Sequence, residues 1–160
     1  MASQGNTQLL QGIPPLSDAF VVCIATEWNA TIIAELLAGA TKVLQLANAQ
    51  YKVLYVPGAV ELTFAVQSYY KNATRKPDAF ITLGTVIKGD TPHFEYVCSS
   101  VTQGITQLNA TMPVPTIFGV LTVFTEEQAW ERLGGKHGHK GEEAAITALK
   151  MIAFNQQLFS

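Results

Sequence analysis

Charge is what this chain has least of. Its 160 residues include ten Lys plus Arg and twelve Asp plus Glu, 14% of the total, against about 25% in an average domain. The net charge of −2 excludes a broadly basic nucleic-acid binder. So little charge beside 48% apolar residues excludes disorder, and it implies that further copies of the chain cover much of the surface. No run of 18 apolar residues occurs, so no membrane span is expected. Residues 1–18 have no charged n-region and no apolar core, so no secretory leader is read there and a cytoplasmic protein is expected. Cysteine is scarce. Cys23 and Cys98 each lie in an apolar run and read as reduced core thiols, not as a disulfide. The three histidines form no metal-ligand spacing with them, so no metal is expected, and His137-Gly138-His139 reads as a flexible loop.

What is present is regular. The polar stretch 1–17, with Pro14-Pro15, reads as an arm, and 18–160 reads as one domain. Residues 20–26 form a short, β-branched apolar run of the kind found in parallel strands buried on both faces. Asn29 can cap a helix whose apolar positions are Ile32, Ile33, Leu36, Leu37, Ala40, Val43 and Leu44. Residues 51–56, 79–85 and 116–122 read as three more strands. Residues 61–70 have helical character, and Thr91-Pro92 predicts a helix with Thr as N-cap and Pro at its first position, running to about Ala110. Thr125 and Gln128 fit a capping box on a helix ending at Gly134-Gly135, and 141–159 is a last amphipathic helix. Strands alternating with helices predict an open, parallel α/β sheet covered on both faces, with flavodoxin-like strand order 2-1-3-4. Ligands bind beyond the carboxyl ends of such strands.

That rule sorts the chemistry. Trp28, after strand one, is either a stacking platform for a flat ring or a plug on the end of the sheet. After strand two, Gly58 permits close backbone approach. Glu61 either receives hydroxyls or merely favours the dipole of its helix. After strand three, Gly89 and the helix start at Thr91 offer backbone N–H groups to an anion, with His93 in the first turn beside them. An anion site next to an imidazole suits phosphate chemistry with proton transfer. Arginine is limited to Arg75, at the wrong end of the sheet, and Arg132, at the right end. Arg132 is either a fork-shaped phosphate partner or a solvated helix residue. Lys140 opens the last helix, where the dipole disfavours a cation.

These residues resemble the lumazine synthase family. The resemblance runs over nearly the whole chain from Phe20 to Phe159. It is carried by Trp28-Asn29, by segments 56–61 (Val-Pro-Gly-Ala-Val-Glu), 82–93 (Thr-Leu-Gly-Thr-Val-Ile-Lys-Gly-Asp-Thr-Pro-His) and 115–122, by Glu131-Arg132 and by Lys140-Gly141. It implies condensation of 5-amino-6-(D-ribitylamino)uracil with 3,4-dihydroxy-2-butanone 4-phosphate to 6,7-dimethyl-8-ribityllumazine, the penultimate step of riboflavin biosynthesis, without a cofactor. It also implies roles. The pyrimidine stacks on Trp28, Ala59 and Val60 hold ring or chain, Glu61 accepts ribityl hydroxyls, and Thr85, Val86 and Ile87 bond the pyrimidine edge. Gly89, Asp90, Thr91 and Arg132 bind phosphate, and His93 shuttles protons. Phe118, Arg132 and Lys140 reach the site from a neighbouring subunit, Phe118 and Lys140 on its pyrimidine and ribityl side.

Two positions depart from the family pattern. Lys88 stands where many relatives have Arg, and Asp90 where some have a small residue. A carboxylate repels phosphate, so Asp90 is assigned its N–H alone, with its side chain turned away. The resemblance further implies pentamers assembled into a 60-subunit shell. In it the arm adds a strand to a neighbour's sheet, and riboflavin synthase is a partner. The short glycine-rich turn over 133–140 accords with a shell, because longer insertions there go with free pentamers in the family. The rival readings are a flavin or lumazine carrier and a non-catalytic shell protein on the same scaffold. A pure carrier needs no phosphate–histidine pair, so His93 and Arg132 favour the enzyme.

Overall fold

A computed structural model describes residues 16–159 of the chain. The expected strand-adding arm lies outside the described residues, apart from its last two positions. Leu16 is buried in the core, and its amide donates to the Ala47 carbonyl.

Four strands form one parallel sheet: β1 (Phe20–Thr26), β2 (Gln50–Val56), β3 (Ala79–Ile87) and β4 (Thr116–Val123), in the order β2-β1-β3-β4. Helices α1 (Ala30–Leu46), α2 (Leu62–Asn72), α3 (His93–Thr111) and α5 (Lys140–Phe159) cover it. The short α4 (Glu126–Trp130) leads into a hairpin, β5 (Leu133–Gly135) and β6 (Gly138–His139). The continuous apolar runs of the central strands have a simple cause. Val21, Cys23 and Ala25 of β1, with Ile81 and Leu83 of β3, pack with α1 and α5. Phe20, Val22 and Ile24, with Phe80, pack with α2 and α3 on the other face. Both faces are covered, so no polar alternation survives.

Several local expectations need correction. Asn29 does not cap α1 with its side chain. It takes the left-handed conformation (φ 60°, ψ 44°) and its amide points elsewhere. Asn tolerates that region better than most residues. Thr91 is not the cap of α3, which starts one residue later than expected, at His93, with Pro92 in the flanking position. Thr125 does accept from the Gln128 amide, but Gln128 returns its bond to the Phe124 N–H and not to Thr125. That helix ends at Trp130, because Gly134 (φ 103°) and Gly138 (φ 74°) bend the chain into the hairpin. Segment 137–139 is therefore part of a hairpin and not a free loop. Cys23 is fully buried, whereas Cys98 is half-buried on α3 and lies outside the core.

Candidate active site

The chain leaves β1 toward β2 on one side and reaches β3 on the other. A crevice therefore opens at the carboxyl ends of β1 and β3. One side-chain bond spans it: Asn29 Nδ2 donates to the Thr85 carbonyl at 3.0 Å. The residue read as a helix cap instead fastens the β1 turn to the end of β3. Only its place after Trp28 in a strand-to-helix turn hinted at this.

Beyond β1 the ladder continues. The Glu27 amide donates to Val56 and the Trp28 amide to Pro57, at 2.8 and 3.2 Å. This brings Trp28 beside Gly58. The indole is 69% exposed, so it does not plug the sheet. A Cβ on Gly58 would lie 3.1 Å from Trp28 Cε3 and 3.0 Å from Glu61 Oε2. Gly58 is extended (φ −146°), so its need is for space and not for an unusual backbone. Ala59, Val60 and Glu61 form a single 3-10 turn before α2, with Val60 and Glu61 exposed.

Beyond β3, Thr85 is buried and its Oγ1 has no hydrogen-bond partner among the described residues. Val86 and Ile87 are half-buried. Lys88 is tied down: its amide donates to Val123, and its ammonium lies 5.3 Å from the centre of the Phe124 ring and 3.8 Å from Glu95. Gly89, Asp90 and Thr91 then run exposed to α3, and their amides donate to no acceptor among the described residues. His93, the first residue of α3, is exposed beside them. Unpaired amides at the start of a 19-residue helix suit an anion.

The other candidates lie apart. Phe118 is at mid-strand on the edge strand β4, 41% exposed, and with Lys140 it lines a groove of about 540 Å³. Lys140 is held between the two oxygens of Glu143 at 2.8 Å each. That carboxylate, one turn along, offsets the unfavourable dipole at the helix start. Arg132 is half-buried, and its Nη1 donates to the Gln128 carbonyl at 2.7 Å. The next residue back, Glu131, has its carboxyl held below the usual range, chiefly by its bond to Lys136. No hydrogen bond or ion pair joins Phe118, Arg132 or Lys140 to Trp28, Glu61 or His93 among the described residues. No cluster of ligating side chains able to hold a metal occurs among the described residues, and no helix there is long and apolar enough to cross a membrane.

A crevice at the switch point of a doubly wound parallel sheet is where α/β proteins of this class take up small molecules. Comparison with known proteins narrows the class. The family model described as 6,7-dimethyl-8-ribityllumazine synthase matches residues 18–156. A Bacteroides fragilis protein of that name is 52% identical over 134 residues, covering 82% of this chain and 92% of that one. Its counterpart from Porphyromonas gingivalis is 49% identical over 149 residues, 91% of each chain. A third, from Parabacteroides distasonis, is 45% identical over 146 residues, 89% of this chain and 90% of that one. The chain belongs to the 6,7-dimethyl-8-ribityllumazine synthase family, transferases of riboflavin biosynthesis that act as homo-oligomers.

Proposed function

We propose that this chain condenses 5-amino-6-(D-ribitylamino)uracil with 3,4-dihydroxy-2-butanone 4-phosphate, giving 6,7-dimethyl-8-ribityllumazine, phosphate and two waters. The observation that carries this reading is the set of free amides over 89–91 beside the exposed His93, at the carboxyl end of a central strand. The phosphate sits on those amides and on Arg132. The pyrimidine stacks on Trp28 within reach of the 85–87 backbone, and the ribityl chain lies over 59–60 toward Glu61. The amine attacks the ketone, water leaves, phosphate is eliminated, and a second condensation closes the ring. Every step moves protons and none needs a strong protein nucleophile. His93 serves as the shuttle, and holding two reactants in line supplies much of the remainder.

The homo-oligomeric habit of the family and the exposed groove that Phe118 and Lys140 line on the edge strand support a shared site, in which Phe118, Arg132 and Lys140 of one copy complete the cleft of the next. Head-to-tail contacts of this kind close into rings. The ring is a pentamer, and twelve pentamers form a hollow 60-subunit shell in the cytoplasm, with riboflavin synthase as its partner. The deciding experiment mixes both substrates with the purified protein and follows lumazine fluorescence against the uncatalysed rate. Acceleration supports the enzyme. Binding of the product without acceleration would leave a carrier instead.

A further inference from the structure

The hairpin β5–β6 connects Arg132 to Lys140, and the assignment of Arg132 to the phosphate-bearing substrate is the reading on which this inference rests. We propose that His139 is a positioning residue: its imidazole caps α5 and locks the hairpin onto α1, and so sets where Arg132 stands.

His139 immediately precedes α5, and its Nδ1 accepts from the Glu142 N–H at 3.4 Å. Glu142 is the third residue of the helix, which is the amide that a capping Ser or Asp oxygen would satisfy. An imidazole can fill this role only with its proton on Nε2, which leaves Nδ1 as the acceptor. The ring is fixed from its other side as well. It rests on Gly39 of α1 so closely that a Cβ there would collide with it. Gly141, two residues on, meets the Leu36 carbonyl of the same helix with no room for a side chain. The hairpin transmits this seating. His139 pairs with Leu133, and the Lys140 amide donates to the Arg132 carbonyl at 2.9 Å. Beyond that strand, the Arg132 guanidinium has one tether among the described residues, the Gln128 carbonyl. A displaced His139 therefore shifts Arg132, whereas the Lys140 ammonium keeps its separate hold on Glu143 and the cleft lined by Trp28 and Glu61 is untouched.

The test compares the KM for each substrate in the wild-type oligomer, His139→Asn, His139→Gln, Gly39→Ala and Arg132→Ala. Asn places an oxygen where Nδ1 stands and is itself a good cap. Gln moves that oxygen out to the Nε2 position and caps poorly. His139→Asn is expected to stay within about twofold of wild type for both substrates. His139→Gln is expected to raise the KM for butanone phosphate about fivefold, the equilibrium equivalent of a lost cap at about 1 kcal/mol, with the pyrimidine KM unchanged. Gly39→Ala, which crowds the ring from α1, should give the same selective rise and serves if the Gln variant fails to assemble. Equal KM values for the Asn and Gln variants, with Arg132→Ala still impaired, would show that His139 merely ends a helix. A rise in both KM values together would overturn the proposal in favour of general loosening. An unchanged KM in Arg132→Ala would instead refute the phosphate assignment beneath it, and the proposal would fall with that assignment.

Discussion

His93 begins α3 in the open, beside amides that have no partner among the described residues, and it carries the sharpest expectation. His93→Ala should bind both substrates and turn over about 10²–10⁴ times more slowly, the usual worth of positioned proton transfer. A rate equal to wild type, after subtracting the uncatalysed condensation, removes His93 from the chemistry. Trp28 is read by fluorescence. A pyrimidine analogue should quench the wild-type signal more than that of Trp28→Phe, in which only Trp130 remains, and the Phe variant should keep its activity. Equal quenching in both proteins means that nothing stacks on Trp28. Cys23 tests the core. Burial pushes its thiol up to about 12, whereas an unfolded cysteine ionises near 8.5. The thiol thus favours the folded state fully below about pH 8.5, and that contribution fades as pH rises toward 12. A disulfide reagent at pH 8 should leave Cys23 unlabelled until denaturant is added; prompt native labelling of both thiols contradicts the packing described. The sequence showed which residues could matter here, because polar and aromatic groups after strands are few. It did not show that Asn29 would spend its amide on Thr85, since a bond between residues 56 positions apart leaves no local trace.

At the scale of elements, strands were the most legible feature, and their ends were off by a residue or two. Continuous apolar runs such as Phe20–Thr26 have one explanation, burial on both faces, and β1 took those bounds. Helix starts were harder. Asn29 and Thr91 are good caps by residue type, but the left-handed turn at one and the bend before Pro92 at the other override that preference. The hairpin after α4 was hidden because its two strands are three and two residues long, too short for any period to emerge. The turn between β2 and α2 yields a prediction of its own. Gly58→Ala sets a methyl 3.0–3.2 Å from Trp28 and Glu61 together. It should weaken the pyrimidine substrate several-fold while leaving the affinity for butanone phosphate near wild type. A loss confined to the phosphate-bearing substrate would contradict this geometry, and KM for each substrate decides.

For the whole molecule, the proposed sharing of the site between copies can be tested by mixing. Neither His93→Ala nor Arg132→Ala should turn over well alone. In rings assembled from an equal mixture, about one interface in four joins two intact halves, so about a quarter of wild-type activity should return. No recovery after verified mixing means that each chain builds its own site. Light scattering on the wild-type protein fixes the assembly: five chains of 17.3 kDa weigh about 87 kDa, and sixty about 1 MDa. The number of copies was not legible in the cleft, because it depends on faces that never meet within one chain.

The last helix closes the first layer built. Ile81 and Leu83 of β3 wait for Ala145, Leu149 and Ile152 of α5 to cover them. Translation delivers those residues roughly 4–14 s later at 5–20 residues per second. Throughout that interval that face of β3 is covered by α1 alone. A chain cut before α5 is therefore expected to leave Ile81 and Leu83 with half of their cover missing and to aggregate where the full chain does not.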